Sequence, residues 1–159
     1  MTDDYAYRLE LLERVVGAGM TAEVRTLGVS MFPLMPPHSV VHVAPCSGLA
    51  LRRGDVVVFR RNDGGAVSHR VLHVDASTIS TRGDSNLNVD APVAPTDVIG
   101  KVVAVRILRR FVSADGRLLR AYACVVLGCA PVSNYICYGL AHVALAVHRC
   151  LRLFVKSSR

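Results

Sequence analysis

The sequence predicts a mainly β chain: a small antiparallel β domain, preceded by a short helix and followed by an amphipathic helical tail. Three observations lead there. Short Val-rich segments alternating at the period of strands fill the middle of the chain. Turn formers separate them at intervals too short for the crossovers that a parallel sheet requires. The 159 residues are 52% hydrophobic and 19% charged, enough apolar surface for one core and too little chain for two full-sized domains. This composition excludes a disordered tail, a collagen-like repeat and a disulfide-rich miniature.

Taken in order, Tyr5 to Val16 reads YAYRLELLERVV, with Leu9, Leu12 and Val16 on one helical stripe, and Gly17 and Gly19 stop it. From Glu23 the period shortens. Strands are expected at Glu23 to Leu27, Ser39 to Val43, Asp55 to Phe59, Ala66 to Val74, Thr78 to Thr81 and Val98 to Leu108. Between them lie Pro36-Pro37, Arg52-Arg53-Gly54-Asp55, Asn62-Asp63-Gly64-Gly65 and Arg82-Gly83-Asp84-Ser85-Asn86, all rich in turn residues. Hairpins in a small sandwich or barrel follow. The division expected is an N-terminal helix over 1–20, a β domain over 21–112 and a helical tail over 113–159.

The tail departs from the rest in charge. Residues 1–100 hold 9 Lys and Arg against 11 Asp and Glu, net −2, whereas 101–159 hold 10 against Asp115 alone, net +9. No Asp, Glu, Lys or Arg occurs over the 27 residues from Ala121 to Val147, more than the ~20 that cross a bilayer as a helix. Gly128, Pro131, Ser133 and Asn134 interrupt that run. Further on, Leu140, Ala144, Val147, Leu151 and Phe154 fall on one stripe, opposite His142, Arg149, Arg152 and Lys156. This is the pattern of a basic interfacial helix, which points to an anionic membrane surface as partner through 136–159. A true span and a terminal helix packed on the protein are the alternatives.

Cysteines at 46, 124, 129, 137 and 150 are odd in number and form no CxxC pair. Four of them lie in apolar surroundings, where a free cysteine acts as a small hydrophobe. His38 and His42 have no metal-ligand context, so neither a metal nor a cofactor is expected.

Chemistry is concentrated elsewhere. Ser30, in GVSMFP, sits on a bend between a strand and a Pro-rich turn; His69 lies on an expected strand; Asp84 and Asp90 lie in RGDSNLNVD, directly after the next strand. An alcohol is a poor nucleophile near neutral pH and needs a base, and the base needs a group to orient it. Serine, histidine and aspartate supply those roles, although on spacing alone six histidines make accidental trios easy.

Five segments in order sharpen the reading: Gly-x-Ser-Met-x-Pro at 28–33, Arg-Gly-Asp-Val-Val-Val-Phe at 53–59, His-Arg-Val at 69–71, Arg-Gly-Asp-Ser-Asn followed by Asp at 82–90, and Ile-Gly-Lys-Val-Val at 99–103. Together they resemble the successive boxes of the signal-peptidase and repressor-peptidase superfamily of serine peptidases, from about Thr21 to Val105. The resemblance implies a signal-peptidase-like β fold and Ser30 as the nucleophile of an acyl-enzyme mechanism. Where the common bacterial type has a lysine base this chain has His69, similar to the archaeal and endoplasmic reticulum type. Asp90 then matches the orienting acid, and Asp84 the acid of the Gly-Asp box, better placed to brace the loop. Imidazole suits the task, because it ordinarily titrates near ~6.5 and needs orientation more than a displaced pKa. Lys101 is read as a strand residue.

Two departures matter. Signal peptidases usually place a serine two residues before the nucleophile to help bind the oxyanion; this chain has Gly28, as repressor-type members do. Only the short helix precedes the first box, where signal peptidases carry an anchor. The expected function is a serine endopeptidase that cleaves leader or signal segments of precursor proteins. It is expected at the cytoplasmic side of a membrane, with a soluble cytoplasmic protein as the alternative. The rival function is a non-catalytic module of the same fold that binds membrane or protein. Specific nucleic-acid binding is not expected, since the basic block lacks interleaved aromatics.

Overall fold

The computed structural model describes the backbone of residues 3–107, 110–129 and 132–157, with side chains described within those bounds from Tyr5 to Val143 and at Ala146. The chain runs α1 (Asp3–Gly17), β1 (Ala22–Arg25), β2 (Val40–Ala44), β3 (Val56–Arg60), β4 (Ala66–Val74), β5 (Ile79–Arg82), β6 (Val98–Ile107), β7 (Arg110–Ser113), α2 (Arg117–Gly128) and α3 (Val132–Ser157). The predicted helix and strands appear with ends moved by one or two residues. Leu108, at the expected end of the last strand, lies outside the described residues, and β7 had no counterpart in the sequence reading.

All seven strands belong to one antiparallel sheet in the order β1-β2-β6-β3-β4-β5, with β7 added on β6. The hydrogen-bonded path is open, running from β1 to β5. The ten-residue β6 is shared by three partners. Along one edge it pairs with β2, from Val41↔Val105 to Ala44↔Lys101. Along the other it pairs first with β3, from Phe59↔Val98 to Val57↔Lys101, and then with β7, from Ala104↔Ser113 to Ile107↔Arg110.

β3 shows why the sheet has two cores. Side chains alternate between faces along a strand. Val56 and Val58 join Val16, Met31, Met35, Val41 and Val105, while Val57 and Phe59 join Leu51, Val71, Ile79 and Val93 on the other side. A strand covered on both faces reads as an unbroken apolar run, which is what DVVVF is. α1 covers the first face through the buried Leu9 and Val16, and Arg60 at the end of β3 forms an ion pair with Glu13 of α1.

α2 completes that face. Leu119 enters the first core, and Ala123 and Val126 are buried. Gly54, at φ 93° in the turn before β3, lies so close beneath the helix that an added Cβ would stand 3.4 Å from Ala123 Cβ. This part of the expected tail therefore packs on the β domain.

α3 buries Asn134, Cys137 and Ala141 and leaves Val132, Ile136, Leu140 and Val143 exposed on one stripe. Of the amphipathic pattern expected there, the side chains of Ala144, Val147, Leu151, Phe154, Arg149, Arg152 and Lys156 lie outside the described residues, as does Cys150. No single helix among the described residues is long and apolar enough to cross a membrane; α2 and Val132–Val143 meet that test only as a pair bent by 109°.

Docking of α2 has a pH consequence. Burial, and then the charge of Asp84, hold the Tyr122 phenol well above its ordinary value of 10.0. The folded chain thus binds this proton more tightly than the unfolded chain, so stability falls once the pH passes the unfolded value. Burial also pushes the Cys46 and Cys137 thiols above 9.0, so the decline begins somewhat earlier. Urea midpoints are expected to drop between pH 9 and pH 11, and Tyr122→Phe to flatten the upper part of that drop.

Candidate active site

Two adjacent residues of β4, His69 and Arg70, point to opposite faces of the sheet, and each begins one half of the site. His69 pairs in register with Val57 and stands edge-on to Phe59, ring centroids 6.1 Å apart, on the face of the second core. Arg70 pairs with Val56 and points toward α2.

Arg70 is almost fully buried and bound on every side. Its Nε donates to Asp84 Oδ1 at 2.7 Å, Nη2 to Asp84 Oδ2 at 2.6 Å and Nη1 to the Gly54 carbonyl at 2.8 Å. The Tyr122 ring covers the guanidinium at 5.4 Å, and its hydroxyl donates to Asp84 Oδ2 at 3.2 Å. Burial alone would lower the Arg70 pKa; the hydrogen bonds and charge of Asp84 reverse that and raise it, so the cation is kept. A bidentate, fully hydrogen-bonded pair is the form in which a buried charge is tolerated.

That pair fixes the start of the 83–90 loop, which leaves β5 and then doubles back. The Asp90 N–H returns to the Thr81 carbonyl at 2.9 Å, and Val93 and Ile79 exchange both backbone bonds. The turn-back delivers the Asp90 carboxylate beside His69: Oδ2 accepts from His69 Nδ1 at 2.6 Å and from the Thr81 hydroxyl at 2.7 Å. A carboxylate on Nδ1 places the proton there and leaves Nε2 of the neutral ring as the basic nitrogen. His69 is only 5% exposed, yet Nε2 has no partner among the described residues and is not sealed off from solvent.

The same loop holds Ser30 by its main chain. The Ser85 N–H donates to the Ser30 carbonyl at 2.9 Å, and the Ser85 hydroxyl donates to the Val29 carbonyl at 2.7 Å. A Cβ on Gly83 would lie 2.6 Å from that Ser30 carbonyl oxygen, so only glycine permits the approach. The Ser30 hydroxyl makes no hydrogen bond among the described residues. It lines a cavity with Met31, Met35, Val58 and Ser68 on the side of the first core, while His69 and Asp90 line a cavity with Phe59 and Val93 on the side of the second, and Val67 borders both.

Of the four residues singled out from the sequence, the structure thus joins His69 to Asp90. It assigns Asp84 to the brace rather than to the imidazole, and sets Ser30 beside the same loop without a hydrogen bond to His69. Lys101 lies apart, paired with Asp55 at 3.2 Å and Asp115 at 3.1 Å; its hydrogen bond is the first cause holding the Asp115 carboxyl below the ordinary range.

Arg70, Thr81 and Tyr122 escaped the sequence reading. Thr81 carried a signal, since it shares a strand face with the apolar Ile79 and so points inward. Tyr122 carried none, because its role depends on where α2 lands.

Removal of Asp84 leaves a buried, uncompensated guanidinium. Asp84→Ala is expected to cost about 3–5 kcal/mol in chemical denaturation, with Asp84→Asn intermediate because one acceptor remains.

Compared with protein-family models, with curated proteins and with solved structures, the chain finds no match in any of the three.

Proposed function

We propose that the chain is a serine endopeptidase that cleaves leader or signal segments of precursor proteins, with Ser30 as nucleophile, His69 as base and then acid, Asp90 orienting His69 and Asp84 bracing the loop. The observation that carries the reading is the Asp90–His69 pair at 2.6 Å, supported by Thr81, in an imidazole otherwise buried but open at Nε2.

In this reading Nε2 takes the Ser30 proton as Oγ bonds to the scissile carbonyl carbon, whose π electrons move onto oxygen. Collapse breaks the C–N bond, and the proton on His69 passes to the leaving amine. Water, activated by the same nitrogen, then hydrolyses the acyl-enzyme. In this reading Ser30 Oγ, on the first core's side of β4, and His69 Nε2, on the second's, have to meet in the substrate-bound arrangement, where nucleophile–base contacts commonly tighten.

The surroundings of Ser30 support an extended apolar substrate. Its 190 Å³ cavity shares Tyr5, Leu12, Val24 and Leu27 with a 620 Å³ cavity between α1 and β1, so apolar lining runs from the serine along the sheet's end strand. A peptide added beside such an edge gains main-chain hydrogen bonds and places alternate side chains in pockets.

The missing hydrogen bond between Ser30 and His69, with Gly28 in place of a hydroxyl donor, favours a second reading: a non-catalytic module of this fold that binds membrane or protein. Ser30→Ala decides between them. The expected outcome is loss of precursor cleavage by ~10⁴-fold or more, with the denaturation midpoint unchanged; equal cleavage by the variant refutes the peptidase.

We also propose an anionic membrane surface as partner. The support is the exposed stripe Val132, Ile136, Leu140 and Val143 together with the net charge of +9 over 101–159. The protein is expected to float with vesicles containing phosphatidylserine and not with phosphatidylcholine alone, and Ile136→Asp with Leu140→Asp to abolish flotation.

A further inference from the structure

An oxyanion needs donors, and Gly28 has no side-chain hydroxyl to offer one. Among the described residues the Ser30 N–H donates no hydrogen bond and is free to serve as one donor. Several neighbouring groups are engaged: the Ser85 N–H on the Ser30 carbonyl, the Ser85 hydroxyl on Val29 and the Arg70 guanidinium on Asp84 and Gly54.

Asn86 differs. Its backbone N–H is used, donating to the Gly83 carbonyl at 3.0 Å, but its carboxamide makes no hydrogen bond among the described residues. Asn86 lines the cavity of His69 and Asp90. It also adjoins the Ser30 main chain: the point where a Gly83 Cβ would sit lies 2.6 Å from the Ser30 carbonyl oxygen and 2.9 Å from both Cγ and Nδ2 of Asn86. Arg60 and Arg61, which line the same cavity, are engaged with Glu13 and Asp63.

We propose that Asn86 is a catalytic residue whose Nδ2 donates to the developing oxyanion together with the Ser30 N–H, in place of the hydroxyl that residue 28 lacks. This rests on the peptidase reading. It explains how glycine at 28 is compatible with turnover, and it gives the free carboxamide a partner in the transition state, where a fixed donor lowers the barrier most.

The test uses the full chain and an alkyl fluorophosphonate. Ser30 Oγ bonds to phosphorus, fluoride leaves, the serine proton passes to His69, and the phosphonyl oxygen occupies the oxyanion position. Wild type is expected to label at Ser30. Asn86→Ala is expected to label ~10²- to 10³-fold more slowly at an unchanged denaturation midpoint. Asn86→Asp, close in shape but without the donor, is expected to be at least as slow and serves should the alanine variant fail to fold.

A Cβ added at Gly28 meets nothing within 4 Å, so Gly28→Ser in the Asn86→Ala background can restore a donor and is expected to recover ~10-fold or more. Labelling of both Asn86 variants at the wild-type rate, or a loss that Gly28→Ser does not recover, overturns the role of Asn86 and leaves the peptidase reading standing. No labelling of wild type at Ser30 removes both.

Discussion

The buried ion pair of Arg70 and Asp84 is the constraint on which the site depends. Taking both charges out of water costs several kcal/mol per ion, so the pair persists only because every polar atom finds a partner. Asp84 accepts from Nε, Nη2 and Tyr122, and Arg70 also donates from Nη1 to Gly54. The result is a loop with a fixed root. From that root the chain presents Ser85 to the Ser30 main chain, Asn86 to the cavity and Asp90 to His69. These positions are spread over seven residues, 84 to 90, and would drift independently on an unanchored loop.

Strand geometry divides the work. Because successive side chains leave β4 on opposite faces, one dipeptide serves both the brace and the base, and a slip of one residue would exchange them. The pairing of β4 with β5 is irregular between Val71 and His73, close enough to make register a real question. Arg70 answers it: only in the observed register does its guanidinium reach both Asp84 and the Gly54 carbonyl, while Val71 enters the second core.

This bears on what the sequence could disclose. Short Val-rich segments located β2, β3 and β4, β3 as an unbroken apolar run because both its faces enter a core. β7 went unseen because RFVS has a short pattern and only Val112 of its residues is partly buried against the core. α2 was assigned to a tail because an apolar helix carries no record of which surface it covers; Arg120, which reaches Asp55 at 3.1 Å, could not be paired in advance. The pairing of His69 with Asp90 came from resemblance to a family and not from spacing. What joins residues 21 positions apart is the return of the chain along β5, a property of the loop's path rather than of its composition.

α2 connects the two ends of the molecule. Leu119 and Tyr122 point inward, one into the core and the other over the Arg70–Asp84 pair, while Leu118 and Val125, one turn to either side of Tyr122, are exposed and as apolar as the stripe on α3. The helix that keeps water from the ion pair is therefore the helix whose outer face is apolar. The strength of a buried pair depends on the low dielectric around it, so a surface that engaged Leu118 and Val125 would press the cover onto the brace, and one that drew α2 away would wet it. A contact at Leu118 and Val125, were the proposed membrane surface to make one, would therefore act on the serine loop through this one helix.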